Sequence, residues 1–338
     1  MTTTIDRLAV KHFSDFLRAV LLASAALLTA GVSAQPADGG AAGASEANGN
    51  GEEQEPKSIE EILEDSDRID GLFTLYRDQK NGDLRMLLDA GNFEQTYLYF
   101  SYTENGVPAA GHFRGSFHVG DAKVFRIGRY FDRVEFIVEN TMFYFDPDNA
   151  IARAADANIS HAVAADVKIE SEDEDAGTVL IKVNDLFLTE ALNAIAPLPN
   201  PEQPAHEGFR IGSLDASKSK IREVKNYPEN TDVIVEYVYK NEQPYVSGGE
   251  EVTDPRFVSL LVQHSLIAAP EEPFEPRFDD PRVGYFTSRV TDLSSTGVTP
   301  YRDALHRWRL VKRDPNAAIS EPVEPIVFWI ENTTPEDL

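Results

Sequence analysis

The sequence predicts a mainly β protein, with antiparallel sheets forming a sandwich or an open barrel and a few short helices. Polar and apolar residues alternate in several runs, Asn-Gly stands where a hairpin would turn, and helix signals are few. The alternation is clearest in VIVEYVYK at 233–240, where apolar side chains from Val233 to Tyr239 share one face and Glu236 and Lys240 lie on the other. Many short strands separated by turns are typical of antiparallel sheets.

The elements are expected in a definite order along the chain. Ser58 and Glu61 match the capping box that begins a helix, here a short one over 59–67. Asn81-Gly82 favours a hairpin turn because these residues tolerate positive φ angles. A hairpin is predicted from strands at 134–138 and 141–146, and two more strands are predicted within 163–187. Single strands are predicted at 96–102, 233–240, 256–267, 283–290, 307–312 and 326–330. Further helices are predicted at 150–158 and 188–196.

The N-terminal 34 residues resemble a secretory signal peptide. Basic residues precede an apolar stretch at 19–31, and small residues ending at Ala34 form a cleavage pattern. The stretch is too short to span a bilayer, which needs about 20 residues; the alternative is an N-terminal membrane anchor. Residues 35–57 are small, polar and acidic, which predicts a disordered linker. We expect an exported protein, periplasmic or extracellular, with no transmembrane segment after signal cleavage.

Composition excludes several classes of function. The net charge of −26 argues against nucleic-acid binding, which needs basic surfaces. The chain has no cysteine, so it has neither a disulfide framework nor a cysteine-ligated zinc site. A Pro-rich segment at 197–208 separates a β-rich subdomain at 58–196 from residues 209–320, which form either a second β-rich subdomain or a continuation of the first.

The residues by themselves predict no active site. Seven histidines are present, but the motif His-Glu-x-x-His of helical zinc sites is absent. His112 and His118 would point to one side of a strand and could share a metal with Asp121, whereas the alternative is a pair of solvated histidines. No phosphate loop, dinucleotide fingerprint or nucleophile elbow occurs. We therefore predict no catalytic residue, no metal ligand and no cofactor in this chain.

Three stretches of the C-terminal third resemble one known family. They are EPFEPRFDDPRVGYFTSRVTD at 272–292, HRWRLVKRDP at 306–315 and EPIVFWIENTTPEDL at 324–338. In this order they resemble exported bacterial zinc-dependent metalloproteases, in which a long β-rich region precedes a catalytic domain with the motif His-Glu-x-x-His-x-x-Gly-x-x-His. The most specific stretch is Asp280–Phe286. The last stretch is also similar to the first catalytic strand of matrix-metalloprotease-type enzymes.

The resemblance implies that residues 322–338 are the truncated start of a metalloprotease catalytic domain. Every zinc ligand and the general-base glutamate would then lie beyond Leu338, so none is assigned to this chain. Zinc is implied only for the missing catalytic domain, where it would polarise a peptide carbonyl and acidify its bound water. We expect this chain alone to be inactive.

Two functions follow as hypotheses. The first is a non-catalytic N-terminal scaffold or substrate-presenting region, with the catalytic domain in cis and a peptide substrate as partners. Arg282, Tyr285, Phe286 and Trp308 are then the candidates for packing against that domain; the alternative is that they are core and buried-pair residues of the β region. The second hypothesis is a stand-alone, envelope-associated module that binds peptide or glycan.

Overall fold

The computed structural model describes residues 57–117, 122–155, 157–196, 202, 204, 206–271, 274–282, 284–328, 330, 334 and 335. The predicted signal peptide and all of the predicted linker except Lys57 lie outside these residues. The strands are β1 (Ser66–Ile69), β2 (Thr74–Asp78), β3 (Leu84–Leu88), β4 (Thr96–Asn105), β5 (Lys123–Tyr130), β6 (Arg133–Val138), β7 (Phe143–Tyr144), β8 (Ala162–Asp173), β9 (Thr178–Lys182), β10 (Ser213–Leu214), β11 (Lys220–Asn226), β12 (Asn230–Lys240), β13 (Phe257–Ala268), β14 (Thr287–Asp292) and β15 (Tyr301–Leu305).

Twelve of these strands form one antiparallel sheet. Its order is β1-β2-β3-β9-β8-β6-β5-β4-β13-β12-β10, and β11 pairs with the same side of β12 as β10. Strands from both sides of the Pro-rich segment therefore share one sheet, because β4 pairs with β13. The predicted mainly β, antiparallel fold is confirmed.

The sheet folds over on itself to enclose a core. β8 makes the corner: its first part pairs with β6 and its last part with β9, with a bulge between Ile169 and Ser171. The two ends of the sheet meet where Leu72 N–H donates to the Tyr227 carbonyl at 2.6 Å. The strands at these ends do not pair in the described residues, so the arrangement is a sandwich and not a closed barrel.

Three short helices accompany the strands: α1 (Ile59–Leu63), α2 (Ala90–Glu94) and α3 (Asn184–Leu188). The capping box of α1 is confirmed, since Glu61 N–H donates to Ser58 Oγ and Ser58 N–H to Glu61 Oε2. The helix ends before residue 67 because β1 begins at Ser66. Within the described residues no helix is both long and apolar enough to cross a membrane.

α3 and the loop after it fill the interior of the sandwich. Leu186 and Phe187 are fully buried and join the core formed by the inward faces of the strands, including the predicted face of β12 from Val233 to Tyr239. Asn184 turns the chain inward: its side-chain oxygen accepts from Leu84 N–H at 2.8 Å. The prediction that the second strand of 163–187 continues to its end is therefore wrong, and so is the predicted helix at 188–196.

A small second sheet follows the sandwich in the chain. β14 pairs with β15 and, in parallel, with the two-residue β7. The predicted hairpin of 134–138 with 141–146 is therefore wrong: Asn140 accepts from Met142 N–H, and the turned chain then pairs with β14. The predicted helix at 150–158 is a 3₁₀ helix, Ala150–Ala154, and ends early. The hairpin at Asn81-Gly82 is confirmed, with Gly82 at φ 76°.

The last predicted strands are also wrong. The stretch 307–312 is not a strand; β15 lies just before it. In the described part of 326–330 there is no strand either, and Ile326, Phe328 and Ile330 are exposed. An entirely apolar strand needs neighbouring strands and two covering layers, and none of the described residues supplies them.

Candidate functional site

The four residues predicted to pack against another domain are all on the surface. Phe286 is 85 % exposed and Tyr285, Trp308 and Arg282 are also exposed. The Arg282 guanidinium is held by Asp280, with Nε 2.8 Å from Oδ1. They are therefore not members of the sandwich core, and their role toward another domain stays a prediction.

The pairing of β14 with β15 places two of these residues, Tyr285 and Phe286, beside His306. Tyr285 and Phe286 precede β14, His306 follows β15, and the His306 N–H donates to the Phe286 carbonyl at 2.9 Å. These three residues and Gly284 line a cleft of about 490 Å³. His306 Nε2 lies 2.8 Å from Ser288 Oγ, which fixes the imidazole ring beside the cleft.

A second cleft, of about 270 Å³, shares Tyr285 and His306 with the first. Phe278 and Leu305 give it apolar walls, and its polar groups are Arg277, Asp280 and Arg307. We call the two adjoining clefts the C-terminal groove. Mostly apolar concave surfaces with a few polar groups are typical of binding sites.

Trp308 lies outside the C-terminal groove, in contact with Phe328: their ring centroids are 6.1 Å apart and the planes meet at 75°. It belongs to a run of exposed apolar side chains that we call the C-terminal apolar segment. Its members are Trp308, Leu310, Val311, Ile319, Val323, Ile326, Val327, Phe328 and Ile330. The sequence analysis predicted strands at 307–312 and 326–330, which include most of these residues, but made no prediction for Ile319 and Val323.

The interior of the sandwich holds a second group of chemically interesting side chains. His264 is buried between two tyrosines: Nδ1 lies 2.9 Å from Tyr99 Oη and Nε2 lies 2.9 Å from Tyr237 Oη. Tyr237 donates its hydroxyl proton to the Phe187 carbonyl at 2.6 Å. The Tyr237 hydroxyl oxygen therefore accepts from the Nε2–H of His264, and His264 Nδ1 accepts from the Tyr99 hydroxyl. Burial raises the pKa of both tyrosines, which keeps the hydroxyls protonated.

Two charged residues lie beside this triad and bind the loop after α3. Glu190 Oε1 accepts from the Tyr239 hydroxyl at 2.8 Å and from the N–H groups of Ile195 and Ala196. Lys123 Nζ donates to the Leu192 carbonyl at 2.6 Å, and burial lowers its pKa. These hydrogen bonds hold the loop inside the sandwich. Glu190 and Lys123 line neither cleft of the C-terminal groove. We interpret the interior cluster as structural.

Metal ligation has no support in the described residues, where no group of three or more histidine, aspartate or glutamate side chains is arranged to hold an ion. His112 is buried, and burial lowers the pKa of its imidazole. The other two residues considered with it, His118 and Asp121, lie outside the described residues. The Asp146 side chain accepts from Asp148 N–H at 3.0 Å, which is the hydrogen bond of an Asx turn and not metal ligation.

Comparison with known proteins gives one finding. A family model described as a domain of unknown function, DUF5117, matches residues 120–313, more than half of the 338-residue chain. This match covers β5 to β15 and includes the C-terminal groove. No curated protein and no solved structure matches the chain.

Proposed function

Since this chain belongs to the DUF5117 family, a domain of unknown function, we propose its role from its own surface: it is a non-catalytic scaffold that docks a partner domain. The docking surface is formed by the C-terminal groove and the C-terminal apolar segment. The sandwich supplies the rigid support from which this surface is presented.

One contrast carries the proposal. The core of the sandwich has its last member at Leu266, and its side chains are nearly inaccessible to solvent. Beyond residue 284 no side chain of the described residues belongs to this core, and many large apolar side chains face water, among them Phe286 at 85 % and Phe328 at 77 % exposure. Soluble domains rarely leave such patches open unless another surface covers them.

The resemblance to exported zinc-dependent metalloproteases suggests which partner covers this surface. We propose that it is the catalytic domain of such a protease, in the periplasm or outside the cell. That domain would supply the zinc site and the chemistry, while this chain would hold it and present a peptide substrate. The same three C-terminal stretches that carry the resemblance also contain Tyr285, Phe286, Trp308 and Phe328, so the resemblance and the exposed surface point to one region.

Site-specific photocrosslinking in cells tests the proposal. A photoreactive phenylalanine analogue replaces Phe286 in one variant and Trp308 in another. A third variant carries it at Phe131, which is 77 % exposed and lies in the turn between β5 and β6. After irradiation, mass spectrometry identifies the peptides joined to each position, on the same polypeptide or another.

We expect positions 286 and 308 to join to a domain that contains His-Glu-x-x-His, and position 131 to give no such product. Equal products at all three positions, or none at positions 286 and 308, would refute the docking surface. Products with peptides or glycans alone would favour the second candidate, a stand-alone envelope module that uses the C-terminal groove for binding.

A further inference from the structure

We propose that the C-terminal groove binds a carboxylate-bearing peptide, with an apolar side chain next to its Asp or Glu. This inference rests on the proposed function, because it assigns a ligand class to the same surface. It is argued from the arginines of the groove, from the charge of the surrounding stretch and from the shape of the two clefts.

Arg277 and Arg307 line the smaller cleft, and neither has a carboxylate partner among the residues that the structure describes. Arg307 lies over the Phe274 ring, with its guanidinium carbon 3.6 Å from the ring centroid, and donates to the Glu275 carbonyl at 2.7 Å. These contacts orient the guanidinium without neutralising its charge. Within the part of the chain that the structure describes, Arg277 forms no ion pair. The carboxylate of Asp280, which also lines this cleft, is bonded to Arg282.

Most arginines that the structure describes in this acidic chain are paired with a carboxylate. Asp and Glu number 57 against 31 Lys and Arg, and neighbouring arginines have found carboxylates: Arg289 is paired with Asp303 at 2.8 Å and Arg302 with Asp292 at 2.6 Å. Arg277 and Arg307 have no such partner in the described part of the chain, so both guanidinium groups can bind an anion from outside. Arginine binds carboxylates with a matched fork of donors.

The charge of the surrounding stretch agrees with an anionic ligand. Residues 274–313 contain eight Lys and Arg and five Asp and Glu, the reverse of the balance in the whole chain. The groove therefore lies in a stretch whose charge favours an acidic peptide more than the charge of the chain as a whole does. Such complementarity selects the site of contact more than it adds affinity.

The shape of the groove identifies the second part of the ligand. The smaller cleft, which the two arginines line, shares Tyr285 and His306 with the larger cleft, and Phe286 also lines the larger cleft. A carboxylate held between the arginines thus places the neighbouring side chain of the peptide among aromatic rings. Burial of that side chain supplies affinity that an exposed ion pair alone does not.

Ligand-detected NMR titration of the purified full chain tests this inference. The probes are a blocked tetrapeptide, acetyl-Gly-Phe-Glu-Gly-amide, and its counterpart in which Gln replaces Glu. The Glu peptide should bind at millimolar concentration or below, and the Gln peptide about tenfold more weakly, since a charge-assisted hydrogen bond is lost. Arg277→Gln and Arg307→Gln should each weaken binding of the Glu peptide about tenfold.

Arg309→Gln is the matched control. This arginine is exposed, two residues from Arg307, and does not line the groove; its replacement should leave binding unchanged. Equal affinity for both peptides, or equal weakening by all three substitutions, would overturn the inference. No binding by the unaltered chain would overturn it as well, and the docking proposal would still stand if the photoreactive group at Phe286 joins to the catalytic domain.

Discussion

Replacing Phe187 with Ala tests whether α3 fills the sandwich. The Phe187 side chain is completely buried and its ring lies 5.9 Å from the His264 ring, centroid to centroid. The substitution removes this ring but keeps the backbone carbonyl that accepts from Tyr237. The expected loss is thus one of packing, with the hydrogen bond retained.

The magnitude follows from the burial. Exposing a buried phenylalanine side chain costs about 2–3 kcal/mol in transfer free energy, and the cavity it leaves adds to this, so that core Phe→Ala changes cost about 3–5 kcal/mol. Because no part of Phe187 is exposed, we expect about 4 kcal/mol. At about 2–4 °C per kcal/mol for a domain of this size, Tm should fall by about 10 °C.

Urea unfolding followed by near-UV circular dichroism measures the change, because Tyr97, Tyr237 and Tyr239 are buried and report on tertiary packing. Phe286→Ala is the control: its ring is 85 % exposed, so the free energy of unfolding should change by about 0.5 kcal/mol or less. A loss under about 1 kcal/mol for Phe187→Ala would show that α3 does not occupy the core.

Three further predictions concern single residues. Burial lowers the pKa of His112 from 6.5, so below pH 6.5 the unfolded chain binds a proton that the folded chain does not, and stability should fall as the pH drops toward the lowered pKa. The substitution His112→Gln should flatten that part of a profile of Tm against pH. An unchanged slope would contradict this prediction. Hydrogen bonds from Arg256 hold the pKa of the Asp254 carboxyl at about 2. A carbon-13 NMR titration should therefore give the Asp254 carboxyl a midpoint near that pH, and Arg256→Gln should raise the midpoint. The same midpoint in both proteins would exclude the pairing. Gly212→Ala should lower Tm more than Gly82→Ala. Both glycines have positive φ, but a Cβ at Gly212 would lie 2.3 Å from a carbonyl oxygen of β12, whereas a Cβ at Gly82 would meet open space. Equal losses of Tm would count against the close approach at Gly212.

Local patterns were sufficient where one segment contains its own reason for folding. The inward face of β12 could be predicted because alternate side chains of a strand must point to opposite sides. The turn at Asn81-Gly82 and the capping box at Ser58 depend only on residues within three positions. Each of these predictions is confirmed.

Predictions failed where a distant segment decided the outcome. The chain at 184–188 has the apolar residues of a strand, yet it becomes a helix because Asn184 bonds to Leu84, 100 residues earlier. The two-residue β7 pairs with β14, about 150 residues later, and not with its neighbour β6. Pattern within a window of 10 residues contains no information about such partners.

The candidate surface shows the same limit. Arg282, Tyr285, Phe286 and Trp308 could be singled out from the sequence, but not their exposure, since an aromatic residue in a β-rich chain is more often buried. That Arg277 and Arg307 have no carboxylate partner among the described residues could not be predicted, because an acidic chain offers every arginine many possible partners.

By itself the sequence determined the mainly β character of this protein, the faces of its clearest strands and the position of several turns, since these depend on side-chain alternation and on backbone preferences of neighbouring residues. The tertiary structure alone decided which strands pair, that α3 enters the core, and that apolar side chains after residue 284 face solvent. Burial is a property of what surrounds a side chain, and the surroundings come from parts of the chain that are far apart in sequence.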